Sequence, residues 1–230
     1  MIKSMGMDKT TERKRPEQEI EYIRPNEIEA RSFEIIRSEM RSSPPADRAP
    51  VILRAIHATA DFDYEDNLVF SESAVPGALQ ALRGGLIVTD TNMALAGINK
   101  AALARLDCRA VCFMADPDVA EEAARRGVTR AVVSMEKAAR LQGRPLLFAV
   151  GNAPTALLRL ADLMEEGKVR PALVIGVPVG FVNVVESKER LIRTAASVSA
   201  DYIVARGRKG GSTVAAAIVN ALLYMAGGRG

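Results

Sequence analysis

Six short apolar runs, separated by longer segments with helical periodicity, are the feature that most limits the folds open to this 230-residue chain. The runs stand at residues 67–70, 85–90, 109–114, 145–151, 172–180 and 201–206. Continuous apolar runs of this length are typical of strands buried on both faces of a parallel sheet. The alternation predicts six parallel strands and an α/β fold, a three-layer sandwich around an open, mainly parallel sheet.

The first 21 residues differ from the rest of the chain, because their charges alternate in sign and they lack apolar periodicity. This pattern predicts a flexible charged extension over residues 1–21, followed by a single domain over residues 22–230. We expect that domain to open with an N-terminal helical extension. Asn26 is the expected N-cap of its first helix, and residues 51–61 predict a second helix.

Composition excludes several classes of protein. Hydrophobic residues make up 48% of the chain and charged residues 26%, which is globular rather than disordered composition. The longest apolar run is shorter than the roughly 20 residues of a membrane helix, and the first residues do not form a secretory signal, so we expect a cytoplasmic protein. Tryptophan is absent and the net charge is only +3, so nucleic acid is not an expected partner.

The two cysteines, Cys108 and Cys112, lie in an apolar stretch predicted to be a strand, where residues four apart share a face. Such a pair could share a metal ion. With one histidine in the chain and no second cysteine pair, a tetrahedral zinc site lacks ligands. We therefore expect buried thiols, no metal site and no cofactor.

The loops that follow the strands are the candidate binding site, because open parallel sheets bind ligands outside the carboxyl ends of their strands. Four of them are rich in Gly, Pro, Asn, Ser or Thr, namely residues 89–93, 151–155, 177–187 and 205–213. These residue types permit tight turns and leave backbone N–H groups free to meet an anion at a helix N-terminus. The alternative interpretation is that they only shape the turns that any α/β fold needs.

The last of these loops also carries three cations, Arg206, Arg208 and Lys209, before a helix that opens at Ser212. Side-chain charge and helix dipole would then act on the same anion, which favours an acidic ligand. A solvated basic surface is the other interpretation. Neither the P-loop pattern nor the dinucleotide-binding G-x-G-x-x-G pattern is present, so a nucleotide-binding regulator lacks its phosphate motif.

His57 is the only histidine, and it stands in a predicted apolar helix. An imidazole ordinarily titrates near neutral pH and suits proton transfer. Arg54 stands one helical turn before it and Asp61 one turn after, so we expect both to share its face and to orient or charge the ring. Two interpretations stay open, a hydrogen-bonded core residue and an acid–base catalyst.

Six ordered blocks of sequence carry a resemblance to a known family. They are IEARSFEIIRSE, RAIHATADFDYEDNLVFS, VTDTNMALAGINK, FAVGNAPTALLRL, GVPVGFVNVVESKE and RGRKGGSTVAAAIVNALL. Together, from about Tyr22 to Met225, they resemble the precorrin-8X methylmutase family of corrin biosynthesis, also called cobalt-precorrin-8 methylmutase. The resemblance implies an isomerase that moves a methyl group from ring carbon C-11 to C-12 of a corrin precursor, giving hydrogenobyrinic or cobyrinic acid. It also implies a flavodoxin-like fold and a homodimer with the active site near the subunit interface.

The resemblance further implies roles for individual residues. The family's catalytic histidine lies in the IHA motif, which gives His57 the role of proton donor or acceptor, and its substrate-contacting serine lies in the RSF motif, which gives Ser32. The macrocycle bears several carboxylates, which arginines and backbone amides suit. We expect the substrate to be bound by Ser32, Arg54, Thr91, Asn92, Arg130, Gly151, Asn152, Thr155, Gly180, Lys188, Arg206, Arg208, Lys209 and Gly210.

An alternative function also fits the cleft, a non-catalytic protein that binds a tetrapyrrole or another acidic metabolite. The presence of His57 favours the enzyme over the binding protein. The sequence does not distinguish a substrate that carries cobalt from one that does not, because neither route needs a metal ligand from the protein.

Overall fold

The structure is a computed structural model that describes residues 21–228, so the predicted charged extension lies outside the described residues except for Glu21. Within residues 21–228 the chain forms six strands and eleven helices. The strands are Leu68–Phe70 (β1), Leu86–Thr89 (β2), Arg109–Val111 (β3), Leu146–Val150 (β4), Leu173–Gly176 (β5) and Tyr202–Ala205 (β6). The helices are Ile28–Glu39 (α1), Ala49–Thr59 (α2), Tyr64–Asn67 (α3), Ala74–Ala81 (α4), Asn92–Gly97 (α5), Lys100–Arg105 (α6), Pro117–Arg126 (α7), Arg130–Ala138 (α8), Pro154–Glu165 (α9), Val184–Ser197 (α10) and Ser212–Ala226 (α11).

The strands form one sheet in the order β1-β6-β5-β4-β2-β3. Strands β2 to β6 are parallel, and their order is that of a flavodoxin-like sheet. The direction in which the chain adds strands reverses between β2 and β4, so a crevice is expected outside the carboxyl ends of these two strands. The predicted fold class, a flavodoxin-like three-layer sandwich with an open, mainly parallel sheet, is confirmed.

Strand β1 is antiparallel to β6, so the prediction of six parallel strands is wrong at this edge. Hydrogen bonds from Ser71 N to Tyr202 O (3.0 Å) and from Arg206 N to Asn67 O (2.7 Å) extend the antiparallel pairing at both ends. The apolar pattern of a three-residue strand records burial but not direction, which is why the sequence did not reveal the reversal.

Helices cover both faces of the sheet, and each face has its own apolar core. Alternate residues of a strand point to opposite faces, so Leu147 packs with α2, α4 and α11 while Phe148 packs with α8, α9 and α10. Helix α11 is apolar on nearly all sides, as its position between the sheet and α2 requires. None of the described helices is long and apolar enough to cross a bilayer.

Three helical features differ from the sequence-based expectations. Helix α1 begins at Ile28 with Glu27 as N-cap, so the predicted cap at Asn26 is wrong. The periodicity of residues 92–106 predicts one helix, but the structure has two, α5 and α6. The split occurs because the Asn99 side chain accepts a hydrogen bond from Ala102 N and starts a new helix. Helix α8 was not predicted. It follows α7 without an intervening strand, after Gly127 ends α7 in the left-handed conformation.

Strand β3 is shorter than predicted, and both cysteines lie just outside it. Cys108 is buried and Cys112 is half-buried. Burial raises the pKa of the Cys108 thiol to about 11, which keeps it protonated at neutral pH. Among the residues that the structure describes, no group of three or more His, Cys, Asp or Glu side chains is arranged to hold a metal ion.

Candidate active site

The loops that follow the parallel strands meet at one end of the sheet. Thr91, after β2, shares a hydrogen bond of 2.8 Å with the hydroxyl of Ser212 at the start of α11. Gly180, after β5, donates its N–H to the carbonyl oxygen of Arg208 in the loop after β6 (3.2 Å). The structure therefore brings together three of the four loops that the sequence selected.

The fourth loop is joined to the others through Asp90, a buried residue at the end of β2. Its carboxylate accepts hydrogen bonds from the backbone N–H groups of Gly151 (2.8 Å), Asn152 (2.8 Å) and Ala153 (2.7 Å). Burial raises the pKa of Asp90, while these three hydrogen bonds favour the carboxylate and lower it. The expectation that the amides of Gly151 and Asn152 are free for a ligand is therefore wrong. The single Asp after the apolar run was the available signal, and the sequence analysis missed it.

Two glycines let these loops pack backbone against backbone. A Cβ atom on Gly151 would lie 2.8 Å from the carbonyl oxygen of Gly211 and from Cα of Ser212. A Cβ atom on Gly210, whose φ is +157°, would lie 2.1 Å from the carbonyl oxygen of Val177. Both positions need glycine for close approach of the two backbones, which gives each a role in shaping the loops.

His57 lies in the last turn of α2 with its side chain exposed, so the interpretation as a core histidine is wrong. Its ring contacts Phe33 of α1, with the two ring centroids 5.2 Å apart. Ser32 precedes Phe33 and donates its hydroxyl to the carbonyl oxygen of Ile28 (2.9 Å). The packing of α1 on α2 therefore brings the RSF and IHA motifs together.

Arg54 lies one turn before His57 and contacts the same aromatic side chain. Its guanidinium carbon lies 4.9 Å from the ring centroid of Phe33 and 5.1 Å from that of Tyr224. The guanidinium also forms an ion pair with Glu29 of α1. These contacts fix Arg54 between α1, α2 and α11, beside the imidazole.

Asp61 does not continue the His57 face, so that part of the prediction is wrong. Helix α2 ends at Thr59, and Ala60 adopts the left-handed conformation (φ 53°), which turns the chain away from the helix. The Asp61 carboxylate lies 2.6 Å from Nζ of Lys209, which also contacts Asp63 at 2.5 Å. Hydrogen bonding to Lys209 lowers the pKa of Asp61, and the two carboxylates raise the pKa of Lys209.

The loop at residues 205–213, here called the basic loop, carries two further cations, and both are exposed at the same end of the sheet. Arg206 pairs with Glu189 of α10, with Nε 3.2 Å from Oε1. Arg208 lies over the ring of Phe181, with its guanidinium carbon 5.4 Å from the ring centroid. Within residues 21–228, Arg208 pairs with no carboxylate. It is therefore the cation of this loop best placed to receive a carboxylate from a ligand.

Lys188 occupies a different position from the one expected of a ligand-binding residue. Its side chain is fully buried, and Nζ donates to the carbonyl oxygens of Gly207 and Lys209, each at 2.8 Å. Arg130 is exposed at the first position of α8. Two predicted polar residues lie at helix starts: Thr155 shares a hydrogen bond with Thr129 (2.9 Å), and exposed Asn92 begins α5.

Exposed apolar side chains lie in the same loops, and the sequence analysis did not select them. Phe181 is 82% exposed and Val182 is 78% exposed in the loop after β5, and Met93 is 69% exposed after β2. An exposed imidazole, exposed arginines and exposed apolar groups thus stand in or beside these loops. Such a set suits proton exchange with a large ligand that has both carboxylates and an extended apolar surface.

Comparisons with known proteins agree with this description. The model of the family described as precorrin-8X methylmutase matches residues 27–225. The cobalt-precorrin-8 methylmutase of Salmonella typhimurium is 46% identical over 211 residues, covering 88% of this chain and 97% of its own. The precorrin-8X methylmutase of Pseudomonas aeruginosa is 40% identical with the same coverage. A solved structure of precorrin-8X methylmutase from Thermus thermophilus superposes with a TM-score of 0.79 at 38% identity, covering 88% of this chain and 97% of that one.

Proposed function

The chain belongs to the precorrin-8X methylmutase family, and we propose that His57 is the residue through which it exchanges a proton with its substrate. It is accordingly an isomerase of cobalamin biosynthesis, which moves a methyl group within a corrin precursor. The methyl group leaves C-11 and bonds to C-12 of the same macrocycle. Substrate and product are isomers, so no external methyl donor is consumed.

The observation that carries the proposed role is the exposed imidazole beside the RSF motif. A methyl shift within a conjugated ring needs no protein nucleophile. A proton or hydrogen bond supplied to the macrocycle polarises its π-system and stabilises charge that develops as the methyl group moves. The buried residues of α2 anchor the helix, while its exposed last turn presents the imidazole to a ligand.

Substrate carboxylates are bound, in this proposal, mainly by exposed arginines, and polar side chains at the loops orient the macrocycle. The proposed contacts are Ser32, Arg54, Thr91, Asn92, Arg130, Asn152, Thr155, Arg206 and Arg208. The loops are shaped by Gly151, Gly180 and Gly210. They are held in place by the hydrogen bonds of Lys188 and the ion pairs of Lys209. Exposed Phe181 and Val182 supply apolar contact to the ring.

The variant His57→Ala tests the proposed role directly. We expect its turnover to fall by about 100-fold or more, the usual contribution of a positioned acid or base. Product should still bind within about threefold of the wild-type affinity, because the guanidinium groups remain. Absorption spectra of purified protein mixed with precorrin-8, or with its cobalt form, measure both quantities.

Thr59→Ala is the matched control, because Thr59 lies in the same helical turn and its hydroxyl bonds only within its own segment. This variant should keep wild-type turnover. Unchanged turnover in His57→Ala would remove the imidazole from the mechanism. A wild-type protein that binds both forms of the substrate and converts neither would instead favour the non-catalytic tetrapyrrole-binding protein.

We also propose that two copies of the chain form a homodimer with the site near their interface. Exposed apolar residues beside the site support this, namely Ile28 and Ile35 on α1 together with Phe181. Light scattering at micromolar concentration should then give twice the 24.7 kDa chain mass, and Ile35→Glu should lower it. A single-chain mass for the wild-type protein at every concentration would contradict the proposal.

We further propose a cytoplasmic location and a small-molecule partner rather than a nucleic acid. A biosynthetic isomerase of this family acts on a precorrin, and the exposed arginines suit its carboxylates. Cell fractionation followed by immunodetection checks the location, and a nucleic-acid gel-shift assay checks the partner.

A further inference from the structure

Lys188 on α10 is a fully buried lysine without a carboxylate partner in the part of the chain that the structure describes. Its ammonium group donates to two carbonyl oxygens of the basic loop, Gly207 O and Lys209 O, at 2.8 Å each. A buried lysine is costly unless hydrogen bonds replace its lost hydration. Burial lowers its pKa to about 8, which reflects that cost.

The two carbonyl oxygens belong to the segment that carries the exposed arginines. Because both oxygens point inward to one ammonium group, the backbone of residues 207–209 is folded over the Lys188 side chain. The side chains of Arg206 and Arg208 then project from a fixed backbone toward solvent. Lys188 therefore acts on the arginines through the shape of the loop and not through charge pairing.

The same loop is connected to the end of α2. The carbonyl oxygen of Lys209 accepts a hydrogen bond from Lys188. The side chain of Lys209 pairs with Asp61 and Asp63, which lie just after α2, the helix that carries His57. The buried ammonium group of Lys188 thus fixes a loop that carries the exposed arginines and also contacts the segment after α2. The loop itself carries the charged side chains of Arg206, Arg208 and Lys209, and Arg206 pairs with Glu189, the residue after Lys188 on α10.

We propose that Lys188 is a positioning residue, which holds the loop at residues 206–210 in the conformation that receives the substrate carboxylates. This inference rests on the proposed function. It differs from direct carboxylate binding, because the ammonium group lies inside the protein and touches only backbone oxygens. Its loss should therefore weaken substrate binding more than it slows the chemical step.

The variant Lys188→Met keeps the length and apolar stem of the side chain and removes its donors. Hydrogen–deuterium exchange of the backbone amides at residues 206–211 should become about tenfold faster or more, since hydrogen bonds to an ammonium group are lost. KM should rise by about tenfold or more, while kcat should change by less than about threefold. Lys168→Met is the matched control, because Lys168 is an exposed lysine paired with Glu166, and it should change neither quantity.

Lys188→Gln keeps one donor group, the side-chain NH2, so we expect it to perturb the fold less than Lys188→Met and to give an intermediate effect. Unchanged loop exchange and unchanged KM in either folded variant would overturn the inference, as would a fall in kcat at constant KM. The exchange measurement and product affinity decide the role of Lys188 even if the wild-type protein proves inactive, a result that would instead overturn the proposed function.

Discussion

His57 combines a fixed backbone with an accessible ring. The residues that precede it on α2, from Val51 to Ile56, are buried apart from Arg54, so the core sets the helix position. The contact with Phe33 constrains the imidazole on one side and leaves the side chain exposed. Catalysis depends on groups held in place before the substrate arrives, and this residue meets that condition without being removed from solvent.

Lys188 makes the stability of the protein depend on pH in a specific direction. Its pKa is about 8 in the folded protein, against about 10.4 for lysine in an unfolded chain. Between these values the unfolded state binds more protons, so stability rises with pH across that window. We expect the free energy of unfolding of the wild type, relative to Lys188→Met, to be greater at pH 10 than at pH 7.5.

Urea titrations of both proteins at several pH values measure this difference, and subtraction of the two curves removes the titration of all other groups. The Lys168→Met variant provides the comparison for an exposed lysine and should show no such trend. A difference that is constant with pH, or that falls as pH rises, would contradict burial, at this position, of an ammonium group without a carboxylate partner within residues 21–228.

Asp90 joins two elements across the point where the sheet order reverses. In a flavodoxin-like fold the N–H groups at the start of a helix here are available to an anionic ligand. In this protein the N–H groups before α9 bind a carboxylate from the end of β2 instead. The protein thus supplies its own anion at this helix start, which supports the proposal that arginines rather than these amides bind the substrate carboxylates.

Asp90→Asn should loosen this junction between β2 and α9. The amide nitrogen cannot accept a hydrogen bond, so at least one of the three N–H donors loses its partner. A buried donor without a partner costs about 1–3 kcal/mol of folding free energy. Urea denaturation measures the loss, and exchange of the amides of residues 151–153 should be faster. Asp107→Asn is the control, because that side chain is 75% exposed, and an equal loss in both variants would contradict the prediction.

The order of the strands was predictable because continuous apolar runs mark the strands and helical periodicity marks the segments between them. The direction of β1 was not, because it depends on pairing with a strand distant in sequence. The split between α5 and α6 was not predicted either, because the local cap at Asn99 acts together with contacts distant in sequence. The side chain of Asn220 binds Asn99 N (2.8 Å) and Gly97 O (2.8 Å) from 121 and 123 residues away. Those contacts stabilise the break between the two helices, and the local pattern of residues 92–106 contains no sign of them.

Some features of the candidate site have a signal in the local sequence and others do not. The loop positions follow from the strand ends, and the proposed role of His57 is implied by the resemblance of the IHA motif to that of the family. Asp90 binds amides 61 to 63 residues away, and Lys188 binds carbonyl oxygens 19 and 21 residues away, so their structural roles need the folded chain. Lys188 was expected to bind a substrate carboxylate, because the sequence does not show whether a lysine side chain is buried.

At the scale of the whole molecule, ion pairs offset most of the charge of the basic loop. Arg206 pairs with Glu189, and Lys209 pairs with two carboxylates, which leaves Arg208 without a carboxylate partner within residues 21–228. The net charge is only +3, yet Arg206 and Arg208 stand exposed beside exposed Phe181 at the carboxyl ends of the strands. An exposed guanidinium without a carboxylate partner favours an anionic ligand at this end of the sheet. The attraction should therefore be sensitive to salt and to one arginine in particular.

KM for the precorrin substrate should rise several-fold between about 0.1 M and 1 M salt, because the screening length falls from roughly 10 Å to 3 Å. Arg208→Met should raise KM at low salt and flatten this dependence, since it removes the guanidinium of the basic loop that has no carboxylate partner within residues 21–228. Arg170→Met removes the same charge from an exposed arginine just before β5, at the opposite end of the strands, and should keep the wild-type dependence. Steady-state rates at four salt concentrations distinguish the two variants. Equal salt dependence in both would mean that overall charge, and not this end of the sheet, attracts the substrate.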